Sequence, residues 1–270
     1  MVTEIRLTTM AEVMELIAEQ TYDTQIQRNR SSFLYRGMPN AKFHLVTSLQ
    51  RNCLEKYATI EKSILRNFTK YAAIEANDIK DSVWRQLILG QHHGLPTRLL
   101  DWSCSPLIGL HFATSGEDVE KMDKHDGQIW KVDINEINAL LPEEYKKMLE
   151  KEDAYLFTDD MLQGESLKKY DKAMGNHAMA FMEPPSIDQR IINQYALFSI
   201  VPSGITDIEE FFSEYTHNTV RYVIDKSIRW EVRDFLDRIN INERTVYPGL
   251  DGISAWLKRH YYVKRTNEND

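Results

Sequence analysis

The sequence predicts an α+β protein in which helices surround a mixed β-sheet. Short apolar segments with strand character are scattered among segments of helical periodicity, and the two types do not alternate as a regular βαβ series would. The predicted strands occupy residues 32–35, 128–132, 194–201 and 220–224. The turn residues Gly37 to Asn40 follow the first of these strands.

Helix signals fill most of the remaining chain. Thr8 or Thr9 is expected to cap a first helix, and Ser105-Pro106 to open another, because Pro favours the first helical position. Apolar residues at helical spacing predict further helices near residues 60–71, 84–91, 228–239 and 250–257, with a joint at 76–78. Residues 146–177 are charged and weakly periodic, which predicts a mobile insertion or lid, and residues 265–270 are expected to form a solvated tail.

Composition restricts the functional class. The 270-residue chain is 42% hydrophobic and 27% charged, as in ordinary globular proteins, and its net charge is −8. This charge disfavours diffuse binding to nucleic acid or to an anionic membrane. The two cysteines, Cys53 and Cys104, are too few for a disulfide framework. With no signal sequence and no apolar run of about 20 residues, the expectation is a soluble cytoplasmic protein without a membrane partner.

Tyr35-Arg36-Gly37 is the first segment in which chemistry rather than packing could select the residues. An arginine at the end of an apolar strand, followed by glycine, presents a planar cation where a ligand can approach the backbone. Its guanidinium suits a phosphate or carboxylate. The alternative is an Arg36 paired with a buried acidic residue.

Residues 91–106, QHHGLPTRLLDWSCSP, form the second such segment. The helix start after Ser105, together with the hydroxyls of Ser103 and Ser105, could hold an anion or a ribose. The structural alternative makes one of these serines an N-cap, pairs Asp101 with Arg98 and buries Trp102.

Other chemistries are poorly supported by the same residues. Metal binding by His92, His93 and Asp101 lacks the usual ligand spacing. A hydrolase built from Ser105, His93 and Asp101 lacks a nucleophile elbow, and no Gly-rich phosphate loop indicates an NTPase. In the third segment, residues 188–200, Gln194 stands at the entrance of the predicted strand 194–201, where a glutamine often satisfies a backbone group.

Together the three segments resemble the FRG domain, a family named for a (Phe/Tyr)-Arg-Gly motif. Tyr35-Arg36-Gly37 corresponds to that motif, residues 91–102 to the longest family signature, and Arg190, Gln194 and Phe198 to a late element. The resemblance implies an N-terminal helix in residues 1–20, an FRG domain in 21–240 with the insertion near 146–177, and a C-terminal helix and tail in 241–270.

The pattern is also remotely similar to the ADP-ribosyltransferase fold, which implies an ADP-ribosyltransferase-like core and NAD as substrate. By this resemblance Arg36 would clamp the NAD phosphates, and Ser103 and Ser105 would line the nicotinamide pocket. Gln194 occupies the place of a glutamate that polarises the ribose. Glutamine carries no charge, so Asp101 would supply it, and Glu183 is a second candidate.

The resemblance therefore favours a NAD-using ADP-ribosyltransferase-like enzyme of the toxin or defence-effector kind, such as those of phage defence. Its acceptor would be a protein or nucleic acid. The predicted catalytic residues are Arg36, Asp101 and Gln194, and no metal is expected. The predicted cofactor-binding residues are Tyr35, Gly37, His93, Arg98, Ser103 and Ser105. The alternatives are a non-catalytic module that binds a nucleotide or nucleic-acid end, and a phosphodiester or nucleotide hydrolase.

Overall fold

The chain is described by a computed structural model over residues 1–19, 21–72, 82–116, 118–186 and 189–264. Its strands are β1 Thr3–Leu7, β2 Tyr22–Asp23, β3 Arg28–Asn29, β4 Phe33–Met38, β5 Leu99–Ser103, β6 Gly127–Asp133, β7 Ala180–Met182, β8 Ala196–Ile200 and β9 Val220–Ile224. Its α-helices are α1 Met10–Ala18, α2 Ser48–Cys53, α3 Tyr57–Ala72, α4 Val83–His92, α5 Pro106–Thr114, α6 Ile134–Ala139, α7 Glu143–Lys151, α8 Leu167–Met174, α9 Gln189–Gln194, α10 Ile208–Tyr215, α11 Arg229–Arg238, α12 Glu243–Val246 and α13 Leu250–His260. Short 3-10 helices occupy Leu54–Lys56, Val119–Lys121 and Lys226–Ile228.

Within these ranges one seven-stranded sheet has the order β1-β9-β6-β4-β5-β8-β7. β1 pairs with β9 in parallel and every other neighbouring pair in this sheet is antiparallel, so the predicted mixed sheet and α+β class are confirmed. β2 and β3 form a separate small hairpin. No helix in the described ranges combines the length and the apolar character that crossing a bilayer requires.

Several helix starts follow the local sequence signals. The Thr9 side chain accepts a hydrogen bond from the Glu12 amide, and Glu12 accepts one in return from the Thr9 amide, which is a capping box. Ser105 is the N-cap of α5 and Pro106 its first residue. These two predicted helix starts are therefore confirmed.

The two faces of the sheet are covered differently. One face carries a continuous core cluster to which β4, β5, β6, β7 and β8 contribute apolar residues such as Leu34, Trp102 and Phe181. The other face carries two separate clusters. One lies over β5, β8 and β7 and includes Leu99. The other lies over β1, β9, β6 and β4 and includes Tyr35.

The boundary between these two clusters is the line where β4 and β5 meet. β4 pairs with β6 along its whole length, from Phe33 to Met38, but its described register with β5 is only Tyr35 opposite Ser103. Beyond that pair the two strands part. We call this opening the fork.

Residues 146–177, predicted as a mobile insertion or lid, instead belong to the core. They contain most of α7 and all of α8, and their apolar side chains Leu149, Phe157, Leu162, Tyr170 and Met174 are buried. The Tyr170 hydroxyl donates to the carbonyl of Ile200 in β8 and accepts from the Ala180 amide in β7. The charged residues hid this pattern, because the buried anchors are separated by turns rather than placed along one long helix.

Two other predictions need correction. Residues 1–20 were expected to provide only a helix, but they also provide the edge strand β1. Gln194 was expected to begin a strand, but it is the last residue of α9, and Tyr195 with φ of 46° turns the chain into β8. The predicted joint at 76–78 and the tail at 265–270 lie outside the described residues, as does residue 188.

The C-terminal helices are joined by one buried arginine. The Arg259 guanidinium donates to both oxygens of Glu243 at 2.8 and 2.7 Å and to both oxygens of Asp237 at 2.6 and 2.7 Å. Burial by itself would raise the pKa of Glu243, but the hydrogen bonds from Arg259 and the charges of Arg233 and Arg259 lower it to about 2. This network fixes α11, α12 and α13 to each other.

We predict that Gly37→Ala destabilises the fold by roughly 3 kcal/mol or more, the upper end of overpacking costs. An added Cβ would lie 1.9 Å from the carbonyl oxygen of Gly109 in α5 and 2.7 Å from the amide nitrogen of Ala113, and neither backbone atom can rotate away. Gly116→Ala is the control, since its Cβ would meet nothing within 4 Å. Urea unfolding measures both, and equal midpoints for the two variants would contradict the prediction.

We also predict that Glu243→Gln removes an acid-dependent part of the stability. The folded pKa of Glu243 is about 2 and its ordinary value is 4.5. Its contribution is therefore present above pH 4.5 and is lost as the pH falls towards 2. The difference corresponds to on the order of 3 kcal/mol. Unfolding free energies measured from pH 7 to pH 2 should converge for the wild type and the variant, whereas a constant difference would contradict this role.

Candidate functional site

Arg36 lies in the fork and reaches across it to β5. Its Nη1 donates to the backbone carbonyl of Asp101 at 2.6 Å and lies 3.7 Å from the carboxylate oxygen Oδ2 of Asp101. The Arg36 side chain is 20% exposed and that of Asp101 is 55% exposed. The arginine thus replaces the ladder hydrogen bonds that the parting strands do not make, and it brings a cation next to an accessible carboxylate.

Gln91 and Thr97 hold the Asp101 carboxylate in place. The Gln91 Nε2 donates to Asp101 Oδ2 at 3.0 Å. Gln91 Oε1 accepts a hydrogen bond of 2.5 Å from the hydroxyl of Thr97, and this hydroxyl accepts from the Leu99 amide at 3.1 Å. Because the Thr97 hydroxyl uses its proton on Gln91 Oε1, the amide NH₂ of Gln91 must face Asp101. The orientation of the carboxylate is therefore set from the β5 backbone.

The electrostatics of Arg36 suit an anionic ligand. Burial lowers the pKa of its guanidinium. The charge of Asp101 opposes this shift, and the charge of Arg51 adds to it. The Arg36 Nε is buried and has no hydrogen-bond partner. A buried donor without a partner is costly, so an acceptor placed at this point would be bound favourably.

Hydrogen bonds link Ser103, Ser105 and Gln194 into one group beside Asp101, which lies on β5. The Ser103 hydroxyl donates to the Gln194 carbonyl at 2.7 Å and accepts from the Ser105 amide at 3.1 Å. The Gln194 Nε2 donates to the carbonyl of Val246 at 3.2 Å. This geometry matches the alternative role of Gln194, a glutamine that satisfies a backbone group, and not a ribose contact.

Arg98 does not join the fork, so the prediction that it lines the same site is wrong. Its side chain is 6% exposed and donates to Glu61 Oε1 at 2.8 Å and to Asp171 Oδ1 at 2.5 Å. Burial alone would lower the pKa of Arg98, but the hydrogen bonds and charges of Glu61 and Asp171 raise it. Arg98 precedes the first residue of β5, and its side chain is held by Glu61 of α3 and Asp171 of α8, away from Asp101. Its pairing with Asp101 is also excluded.

The remaining predicted ligand contacts are placed as follows. Tyr35 is buried in the core, where burial and then the charge of Glu19 raise its pKa. The absence of a side chain at Gly37 is needed for the packing of α5 and does not serve only a ligand, as the close approach of Gly37 to Gly109 shows. His93 is exposed at the C-cap of α4, with its ring edge-on to His92. None of these three touches the Asp101 carboxylate through a described hydrogen bond.

Two adjoining hollows lie near the fork. The first, about 580 Å³, we call the polar hollow. It is lined by His92, Gln189, Arg190, Tyr247, Pro248, Asp251, Gly252 and Ala255. The Arg190 guanidinium carbon lies 5.1 Å from the centre of the Tyr247 ring, a cation–π distance. His92, which lines this hollow, directly follows Gln91, the residue that holds Asp101, in the sequence.

The second hollow, about 450 Å³, is mostly apolar, and we call it the apolar hollow. It is lined by Gly37, Pro39, Phe112, Ser115, Gly116, Val119, Met122, Glu243, Tyr247, Ala255, Lys258 and Arg259. Tyr247 and Ala255 line both hollows and therefore form their common wall. Burial raises the pKa of Tyr247, and the charges of Glu243 and Asp101 contribute in the same direction while Arg190 opposes them. Asp101 is thus within electrostatic reach of this wall.

Sequence reasoning missed Tyr247 and Asp251, which follow the last recognised motif by about 50 residues. No spacing pattern connects them to residues 91–106, because only the docking of α12 and α13 brings them there. Gln91 was visible in the long motif, but its hydrogen bond to Asp101 could not be read from it. In the described residues no group of three or more His, Cys, Asp or Glu is arranged to hold a metal ion.

We predict that Arg36→Ala lowers the free energy of unfolding by about 1.5–3 kcal/mol, the range for a hydrogen bond to a charged group. The loss stays below that of a broken buried ion pair, roughly 3–5 kcal/mol, because Asp101 is half exposed and water can solvate it. Arg36→Met keeps the apolar stem and should recover part of the loss. Chemical denaturation measures all three proteins. A loss of 5 kcal/mol or more would instead identify Arg36 as one half of a buried pair.

Comparison with known proteins identifies one part of the chain. No curated protein and no solved structure matches it. The family model described as the FRG domain matches residues 31–122, a segment that contains Tyr35-Arg36-Gly37 and residues 91–102. Arg190, Gln194 and the C-terminal helices lie outside the matched residues. The match therefore shows that residues 31–122 are similar to the FRG domain, and Arg36 and Asp101 lie inside the matched segment.

Proposed function

We propose that the protein binds NAD across the two hollows and transfers its ADP-ribose group, as an ADP-ribosyltransferase-like enzyme. The observation that carries this proposal is the Asp101 carboxylate, which is accessible and is held beside the Arg36 cation by Gln91. The charge of Asp101 acts on Tyr247, the aromatic wall between the two hollows, and paired hollows of this kind suit a dinucleotide with two ring systems.

The chemistry requires a negative charge near the anomeric carbon of the nicotinamide ribose. When the bond from that carbon to the nicotinamide nitrogen breaks, nicotinamide leaves with the bonding electron pair. Positive charge then develops on the ribosyl group, and a preorganised carboxylate stabilises it. An acceptor nucleophile next bonds to the same carbon and loses its proton. We assign the stabilising charge to Asp101.

Cations near the hollows suit the pyrophosphate. Arg190 borders the polar hollow over Tyr247, and the Nε of Arg36 is buried without a hydrogen-bond partner. Guanidinium groups bind phosphate oxygens through charge-assisted hydrogen bonds in fixed geometry. Gln194 has no part in this proposal, since its amide nitrogen is used on the Val246 carbonyl.

A second candidate is a non-catalytic module that binds a nucleotide in the same hollows. The hydrogen bond of the Gln194 side chain favours this second candidate. Gln194 stands where the ADP-ribosyltransferase resemblance expects a glutamate, yet it carries no charge, and its amide nitrogen donates to the Val246 carbonyl. In this alternative Asp101 would orient a ligand hydroxyl without any reaction. The two functions differ in one measurable product, free nicotinamide. A biological role as a toxin or in phage defence stays a prediction, and so do NAD as substrate and a macromolecular acceptor.

We predict that the protein binds NAD in calorimetry and releases nicotinamide, and that Asp101→Asn reduces the release at least 10²-fold. The variant keeps the shape of the side chain but removes the charge, so NAD affinity should change by less than about tenfold, the equivalent of 1.4 kcal/mol. Glu143→Gln, which removes a carboxylate that is 72% exposed on α7, is the matched control.

Three outcomes separate the candidates. Release that depends on Asp101 supports the enzyme. NAD binding without release supports the binding module. If NAD does not bind, or if Asp101→Asn releases nicotinamide at the wild-type rate, the proposed enzyme is wrong.

A further inference from the structure

The outward side of α13 carries a row of exposed apolar side chains. Leu250, Ile253, Leu257 and Tyr261 are 80, 37, 39 and 77% exposed. They follow each other at intervals of three or four residues, so they lie on one side of the helix and its C-cap. In the described part of the chain, none of the four belongs to a core cluster. We call this row the apolar stripe.

The inward side of α13 holds the stripe towards solvent. Gly252 and Arg259, seven residues apart, are buried on that side. A side chain on Gly252 would collide with the carbonyl oxygen of Tyr247, and Arg259 is bound to Asp237 and Glu243. The helix is therefore anchored at both ends and cannot turn to bury the stripe. An exposed apolar surface of this kind marks an interaction site.

One flank of the stripe is aromatic. The rings of Trp256 and His260 are stacked, with centres 4.7 Å apart, and the Arg244 guanidinium carbon lies 4.7 Å from the centre of the Trp256 ring. Such a stack holds its side chains in place before a partner arrives. Aromatic residues and arginine are enriched where proteins meet.

The other flank carries charges of opposite sign at its two ends. Asp251 lies in the first turn of α13 and Lys258 in the last, and both are exposed. Seven residues separate them by about 10.5 Å along the helix axis, too far for a pair within one helix. Lys258 also acts on Asp118, but that carboxylate is already bound by Lys121 at 3.0 Å. This arrangement leaves Asp251 and Lys258 available to a partner.

The charge pattern fits a second copy of the same chain. When two identical helices pack antiparallel about a two-fold axis, the same flank of each meets the other in reversed direction. Asp251 then faces the partner's Lys258, and the pair occurs twice. A parallel pairing would instead place Asp251 against the partner's Asp251. The antiparallel arrangement also sets the positive end of each helix dipole beside the negative end of the other.

We propose that α13 is a self-association surface, on which two copies of this chain pack their apolar stripes antiparallel about a two-fold axis. Ile253 meets the partner's Leu257 near the axis, and the Asp251–Lys258 pairs close one flank. A single helix of 11 residues presents a small interface, so the dimer forms at micromolar concentrations. This property is independent of any reaction at Asp101.

Sedimentation velocity of the full chain over the micromolar range tests the apolar stripe. The wild type should pass from the mass of one chain to that of two as its concentration rises. Leu257→Glu should weaken the dimer at least tenfold, because it buries a charge against the partner's Ile253. Leu54→Glu is the matched control, since Leu54 is 72% exposed and lies outside the stripe, and it should leave the dimer unchanged.

A charge exchange at low ionic strength tests the antiparallel pairing and leaves the stripe intact. Asp251→Lys should weaken the dimer several-fold, because each introduced cation faces the partner's Lys258. Adding Lys258→Asp to the same chain should restore the affinity to within about twofold. Since the two residues are too far apart to pair within one helix, such a rescue can only act between chains.

Three results would overturn the self-association surface. The first is a chain that stays monomeric at these concentrations, whether or not it binds vesicles of phosphatidylcholine and phosphatidylserine. The second is a dimer that is insensitive to Leu257→Glu, which would place the interface elsewhere. The third is a loss on Asp251→Lys that Lys258→Asp does not reverse. Should Leu257→Glu not fold, as urea unfolding would show, the charge exchange decides alone.

Discussion

The parting of β4 and β5 is the constraint on which the site depends. The two strands share the Tyr35–Ser103 pair and then separate, so the core on one face of the sheet divides into two clusters. Arg36 spans the opening through the Asp101 carbonyl. A backbone gap in a sheet must be filled by polar groups, and here those groups include an arginine and an accessible carboxylate.

A close helix–strand contact limits how far this opening can widen. Gly37 and Gly109 let α5 approach β4 to a distance at which a side chain on Gly37 would collide with backbone. Behind α5, Arg229 and Arg233 donate to the carbonyls of Ala113 and His111 near its C-terminal end. The helix that borders the apolar hollow is therefore fixed on both sides, which gives the hollow rigid walls.

Much of the local structure could be predicted from the sequence. The start of α1 at Thr9, the start of α5 at Ser105-Pro106, and strands β6 and β9 follow from capping residues and from alternation. Such signals involve neighbours within a few residues. The prediction of a mobile lid at residues 146–177 was wrong because the signal was not local. Its buried Phe157 and Tyr170 belong to a core assembled from distant elements.

The sequence by itself determined the α+β class, the caps, and the short list of chemical residues that includes Arg36 and Asp101. Only the tertiary structure decided which of them meet. Arg98 lies three residues before Asp101, yet it is bound by Glu61 and Asp171, which the packing of α3 and α8 brings beside it. Tyr247, far along the chain, becomes the wall between the two hollows because Arg259 anchors α13 to α11 and α12. Contacts of this kind depend on how whole elements pack, and local sequence carries no signal for them.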